Sequence, residues 1–257
     1  MKLFLTFVLI GVFLAFPHST RAKDAPLRLA VSANFAPVLD KIAGDFSART
    51  GITTSVTVAS SGTLFAQIRN GAPFDIFLSA DARRPQQLVS EDLADKHSLI
   101  AYATGKLAYV SDNPAIRDVD TLIASLNHNP GRLAIAHPEL APYGRAALQF
   151  LQKSGLEEEF AGRLVRGKNV LQAWQYFQTG NVSQALVAAS LVANKREGKV
   201  VIPSCLHDEI TQKLVIPGSS ERHHDAMRFI CYLVSESVQR SLQSAGYEPV
   251  QPPDVCR

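Results

Sequence analysis

The chain has 257 residues, 46% of them hydrophobic and 19% charged, with a formal net charge of +3. This length buries one large core or two ordinary ones and excludes a small disulfide scaffold, while the composition excludes a disordered or fibrous chain. Lys and Arg are scattered rather than striped, so no electrostatic footprint for nucleic acid or an anionic membrane surface is present.

The first segment combines Lys2, an apolar run at 3–16 and the small residues Thr20 and Ala22. That is the layout of a signal peptide, too short for a bilayer core that needs roughly 20 apolar residues. Residues 1–22 are therefore expected to be removed by cleavage near Ala22, giving an exported chain. Loss of Lys2 and Arg21 leaves 24 basic against 23 acidic residues, a charge of +1.

Past this leader the pattern predicts a strand at 27–31, a helix at 36–49, a strand at 55–59, a helix at 64–70 and a strand at 75–79. Strands follow at 107–110 and 132–136, helices at 145–155 and 170–178, strands at 184–188, 199–202 and 213–216, and one long helix at 220–245. Strands alternating with helices imply an α/β fold built on largely parallel sheet. No fixed-period repeat and no Pro-, Gly- or Ser-rich linker divides the chain. Cys205, Cys231 and Cys256 in an exported chain imply one bridge and one free thiol. Cys231 sits on a helical pattern among Met227, Phe229 and Ile230 and reads as a small buried hydrophobe, which leaves Cys205 to pair with Cys256.

Four helices begin directly after apolar strands with small or polar residues: Asn34 before 36, Ser60-Ser61 before Gly62, Pro142-Tyr143-Gly144 before Arg145, and Lys168-Asn169-Val170 before Leu171. Each helix start leaves backbone N–H groups without an intrahelical acceptor, at the end of the dipole that favours negative charge. Asn34, Ser61 and Asn169 could each be nothing more than an N-cap. As a set they point elsewhere, because ligands in open α/β sheets bind beyond the carboxyl ends of the strands.

The segments Ala30-Val31-Ser32-Ala33-Asn34-Phe35, Ala59-Ser60-Ser61-Gly62-Thr63-Leu64, 71–81 (Gly-Ala-Pro-Phe-Asp-Ile-Phe-Leu-Ser-Ala-Asp) and 137–144 (His-Pro-Glu-Leu-Ala-Pro-Tyr-Gly) resemble the periplasmic molybdate-binding protein of an ABC transporter, in order and spacing, over nearly the whole mature chain. The resemblance implies a two-lobed type II periplasmic binding protein fold, with mixed, mostly parallel sheets flanked by helices and a ligand cleft between lobes. It implies lobe I at 23–104 and 213–257, lobe II at 105–212, and crossings near Leu107 and Leu214. The ligand contacts it carries over fall on Asn34, Ser61, Tyr143 and Val170, the last two through backbone N–H groups. Ala188 stands where some members have Tyr, and Tyr143 where those members have a small residue. Ala33 lacks a hydroxyl that some members have, leaving Ser32 as the nearest substitute.

The resemblance further implies molybdate or tungstate as a transported ligand rather than a cofactor, a permease in the inner membrane as partner, a monomer in the periplasm, and no enzymatic activity. The residues agree with an oxyanion: neutral donors can surround a desolvated dianion, and a fixed cage selects by size. None of the four positions is an acidic acceptor of the kind protonated phosphate needs. Asp75, inside an apolar run, reads as structural, and Arg145 as a solvated helix residue. A carrier of sulfate or another tetrahedral oxyanion is the alternative within the binding class. An exported serine hydrolase using Ser61 is the alternative outside it, without Gly-x-Ser-x-Gly, Ser-x-x-Lys or an evident base. His223-His224, an adjacent pair, cannot present both rings to one metal from a regular helix.

Overall fold

The computed structural model describes residues 25–128 and 131–256; the leader expected at 1–22 lies outside them. Among the described residues no helix is long and apolar enough to cross a membrane. In chain order the elements are β1 (Leu27–Ser32), α1 (Ala36–Thr50), β2 (Thr54–Ala59), α2 (Ser61–Arg69), β3 (Ile76–Leu78), α3 (Arg83–Ser90), β4 (Ile100–Gly105) and β5 (Leu107–Ser111). There follow α4 (Val119–His128), β6 (Leu133–Ala136), α5 (Pro142–Lys153), β7 (Leu164–Gly167), α6 (Val170–Gln178), β8 (Gln184–Ala188), β9 (Lys199–Val201), β10 (Ile210–Val215), α7 (His223–Leu233) and α8 (Glu236–Ser244).

Two five-stranded sheets form, in the orders β2-β1-β3-β10-β4 and β7-β6-β8-β5-β9. In the first, β1 runs parallel to β2 and β3 while β10 is antiparallel to β3 and β4. In the second, β6 runs parallel to β7 and β8 while β5 is antiparallel to β8 and β9. Both sheets thus repeat one pattern, and in each the reversed strand is the one that arrives from the other lobe. The chain crosses at Lys106, between β4 and β5, and returns through 202–209 to enter β10 at Ile210. Leu214, expected near the return crossing, instead pairs inside the first sheet with Leu78 and Ile100.

Central strand β6 is apolar throughout, and β1 is apolar except at Arg28 and Ser32, because both faces are covered. Leu29 and Val31 pack with Phe46, Phe229 and Ile230 on one side of the first sheet, and Ala30 with Leu64, Phe77 and Leu88 on the other. Asp75 is fully buried at the edge of that core. Its carboxylate accepts from the Arg28 backbone N–H at 2.8 Å, from Arg28 Nε and Nη2 at 3.2 Å each, and from Ser220 Oγ at 2.9 Å. Burial pushes its pKa up, but these bonds outweigh that and hold it below the ordinary value. Asp75 is the structural group its setting suggested.

The long C-terminal helix is two helices. Ser235 leaves the helical region (φ −64°, ψ 151°), and the gap is filled by buried Gln239, whose Nε2 donates to the Leu233 and Tyr102 carbonyls at 3.1 Å each.

The expected Cys205–Cys256 pairing is incorrect. Cys231 on α7 is bonded to Cys256, with Cα atoms 5.1 Å apart, and Cys205 is free and exposed. Cys205 lies in the second lobe, where its carbonyl accepts from Lys153 Nζ of α5 at 3.1 Å. Cys231 is only half-buried, on the flank of α7 against which the C-terminal tail folds, so treating it as a core hydrophobe removed it from the pairing. Thiol labelling of the denatured, unreduced protein should find one reactive cysteine, Cys205. Cys256→Ser should lower unfolding free energy by about 3 to 4 kcal/mol, the loop-closure value for a separation of 25 residues; label on Cys231 in the parent protein would contradict the pairing.

Candidate functional site

The loops that leave the carboxyl ends of β1, β2, β3, β6 and β7 meet at the seam between the lobes. Ser32, Asn34, Ser61, Ala80, Tyr143 and Val170 line one small cavity there, together with Ala33, Ser60, Ala141, Pro142 and Asn169. Its volume is about 10 Å³, room for about one water-sized sphere. All four positions expected from the sequence therefore meet, and no charged side chain is among the lining residues. Larger clefts exist, including one of about 730 Å³ lined by Pro37 and Val38 of α1 and Ser237 of α8, but charged Lys41, Asp45 and Arg49 border it and none of the four expected positions does.

Three helices, α2, α5 and α6, start at this cavity. Ser61 and Val170 are the first residues of α2 and α6, and Tyr143 is the second of α5 after Pro142, which has no N–H to satisfy. The N–H groups of Ser61, Tyr143 and Val170 thus have no intrahelical acceptor, and no other acceptor among the described residues bonds them. The same holds for the N–H of Asn34, in the turn before α1.

The hydrogen bonds separate capping from other roles. Ser60 caps α2, its Oγ accepting from the Thr63 N–H at 3.2 Å, and Asn169 caps α6, its Oδ1 accepting from the Gln172 N–H at 3.0 Å. Ser61 is not a cap. Its Oγ lies 2.5 Å from Ser32 Oγ, and the Ala80 N–H donates to both hydroxyls at 3.0 Å. Of the two hydroxyl protons one occupies the bond between the serines, so the pair retains one outward donor, and both become available once the serines separate.

Asn34 is not a cap either. Its Nδ2 donates to Gln212 Oε1 at 3.0 Å and to the Tyr247 hydroxyl at 3.3 Å, and that hydroxyl donates to the Asn34 carbonyl at 2.9 Å. The Tyr102 hydroxyl lies 2.9 Å from Gln212 Oε1 and 3.0 Å from the Ser79 carbonyl, its one proton shared between them. Gln212 Nε2 then donates across the seam to the Tyr143 hydroxyl at 3.2 Å. This junction needs Gly105: a Cβ there would come 2.1 Å from the Tyr143 hydroxyl and 2.6 Å from Gln212 Nε2. Ala188 is fully buried in β8 and does not line the cavity. Burial holds the Tyr102 and Tyr143 hydroxyls well above their ordinary pKa and pushes Tyr247 up to about 12, so the network stays neutral at physiological pH.

Gln212, Tyr102, Tyr247 and the Ala80 N–H escaped sequence reasoning. Gln212 follows the second crossing and reads in sequence as part of a polar connection; only the pairing of β10 between β3 and β4 buries it. The cavity as built gathers neutral donors, hydroxyls and helix amino ends, with no charged side chain among its lining residues and no base in contact with Ser61.

The family described as bacterial extracellular solute-binding protein matches residues 27–248 of this chain. The molybdate-binding protein ModA of Rhodobacter capsulatus is 36% identical over 219 residues, 85% of this chain and 86% of that protein. Its counterpart from Azotobacter vinelandii is 35% identical over 233 residues, covering 88% and 91%. The solved Azotobacter vinelandii periplasmic molybdate-binding protein superposes with a TM-score of 0.82 at 30% identity, over 88% of this chain and all of that one.

The buried tyrosines make the fold alkali-sensitive. Their raised pKa values contribute stability that is fully present below about pH 10, the unfolded value, and is lost as pH rises through the folded values, about 12 for Tyr247. Urea unfolding should show stability falling from about pH 10 upward. Tyr143→Phe, which leaves the buried Gln212 amide one acceptor short, should cost about 1 to 3 kcal/mol at neutral pH and make the alkaline loss shallower; equal stability of variant and parent would remove the Gln212 bond from the account.

Proposed function

Because this chain belongs to the bacterial extracellular solute-binding protein family, we propose that it captures molybdate between its two lobes in the periplasm and delivers it to the permease of an ABC transporter. The observation that carries this reading is the meeting of the Ser32–Ser61 pair with the unpartnered N–H groups of Asn34, Ser61, Tyr143 and Val170 at one uncharged cavity. The chain belongs to a family of solute-binding proteins, and its Ser61 hydroxyl contacts Ser32 and the Ala80 N–H.

Molybdate is a doubly charged tetrahedral oxyanion, and its dehydration is costly unless each oxygen gains donors. Hydrogen bonds to a charged group contribute about 1.5 to 3 kcal/mol each, and each helix amino end adds about 0.3 to 1 kcal/mol. Neutral donors accept any dianion, so size decides. Molybdate and tungstate have longer bonds than sulfate, and phosphate, protonated near neutral pH, would meet no acceptor of its proton. Entry of an ion larger than the present cavity requires Ser32 and Ser61 to part, which frees both hydroxyl protons toward the ligand. Lobe I is expected at 23–104 and 213–257 and lobe II at 105–212; the crossing at Lys106 supports the first boundary, and the pairing of β10 with β4 from Ile210 onward moves the second to about 210. The protein acts as a monomer after cleavage near Ala22, and tungstate shares the site.

Calorimetric titration of the mature chain should give one molybdate per chain, comparable tungstate binding and much weaker binding of sulfate and phosphate. Sulfate binding as tight as molybdate would contradict the reading. Ser61→Ala should lower molybdate affinity roughly ten-fold to more than a hundred-fold, the equivalent of about 1.5 to 3 kcal/mol, with the fold intact since Ser60 retains the cap.

A further inference from the structure

Outside the cavity, the lobes touch through a second set of polar contacts. Glu139 and Leu140 form the turn that leads directly into α5, whose Pro142 and Tyr143 line the cavity. From the first lobe, the Gly62 N–H donates to the Leu140 carbonyl at 2.8 Å, and Arg84 Nη2 donates to the Glu139 carbonyl at 2.7 Å. Two successive carbonyls of one lobe are therefore held by the other, beside Ser61.

Arg84 is 6% exposed, an unusual degree of burial for a guanidinium. It is held on its own lobe by Asp81, through Nη1 and through its backbone N–H at 3.0 Å, and Ser79 Oγ donates to the same carboxylate at 3.1 Å. The fit is close. A Cβ on Gly62 would lie 2.9 Å from the Leu140 carbonyl oxygen and 3.0 Å from Arg84 Nη2. A dehydrated cation needs acceptors on every side. Asp81 supplies one side whatever the lobes do, and Glu139 supplies the other only while they are closed.

Resting on the molybdate reading above, we propose that Arg84 is a positioning residue for anion capture, a clasp that fixes the amino end of α5 against the ligand and sets the rate at which the closed form releases it. Its charge is cancelled by Asp81, so it contributes little long-range attraction. The clasp acts after the ligand has entered.

The test uses the mature full-length chain loaded with radiolabelled molybdate and chased with unlabelled molybdate, with equilibrium affinity measured in parallel. Arg84→Ala should release molybdate about ten-fold faster or more, and affinity should fall by the same factor, leaving the association rate unchanged. Arg84→Lys, which cannot hold Asp81 and the Glu139 carbonyl through one planar fork, should fall between the two. Gly62→Ala disturbs the same contact from the other side and should also speed release, so the test stands if Arg84→Ala fails to fold. Release at the parent rate in these variants, or a loss confined to association, would overturn the clasp while leaving molybdate binding by the parent intact. No molybdate binding by the parent would instead overturn the functional reading, and the clasp with it.

Discussion

A backbone N–H at the start of a helix has no partner within that helix, and removing it from water without an acceptor is costly. This protein brings three such ends, those of α2, α5 and α6, and the turn before α1 to one seam. The topology makes that meeting unavoidable. Each sheet places its parallel strands with their carboxyl ends at the seam, and each accepts one reversed strand from the opposite lobe, so the loops after β1, β2, β3, β6 and β7 face one another. An oxyanion is the partner proposed for all of these groups. A ligand held between the lobes would satisfy them jointly.

Much of the surrounding structure keeps that seam neutral and correctly spaced. Gln212 lies on β10, just past the return crossing, and joins Asn34 and Tyr102 on one lobe to Tyr143 on the other. Its amide uses acceptor and donor together, and Gly105 leaves the space in which the Tyr143 hydroxyl meets it. The Asn34 side chain therefore serves the junction while its backbone faces the cavity, and the Tyr143 hydroxyl serves the crossing rather than the ligand. Among the described residues no charged side chain lines the cavity, and Arg84 beside it is paired with Asp81. A cage of this kind discriminates by dimension, because each donor treats all dianions alike.

Those parts of the fold that depend on local pattern were legible in the sequence. Apolar strands followed by Asn34, Ser61, Tyr143 and Val170 announced both the α/β alternation and the convergence of helix ends. What depended on tertiary pairing was not. Nothing local distinguishes Ser60 from Ser61, yet one caps α2 and the other faces Ser32. Residues 210–212 read as connection until β10 is seated between β3 and β4, which is why Gln212 was missed. The break at Ser235 follows from a contact made by Gln239 with β4, distant in sequence. Cys231 reads as core because its neighbours are apolar, and only the path of the C-terminal tail shows that it faces Cys256.

In the proposed complex a complete tetrahedral dianion is held by hydroxyls and backbone N–H groups alone. X-ray absorption at the molybdenum edge of the loaded protein tests it most directly, since the spectrum reports the atoms bonded to the metal. Only the oxygens of free molybdate should appear, at the distances they have in solution. A fifth or sixth ligand, or oxygens split into short and long sets, would mean that a protein atom bonds the metal and would contradict it.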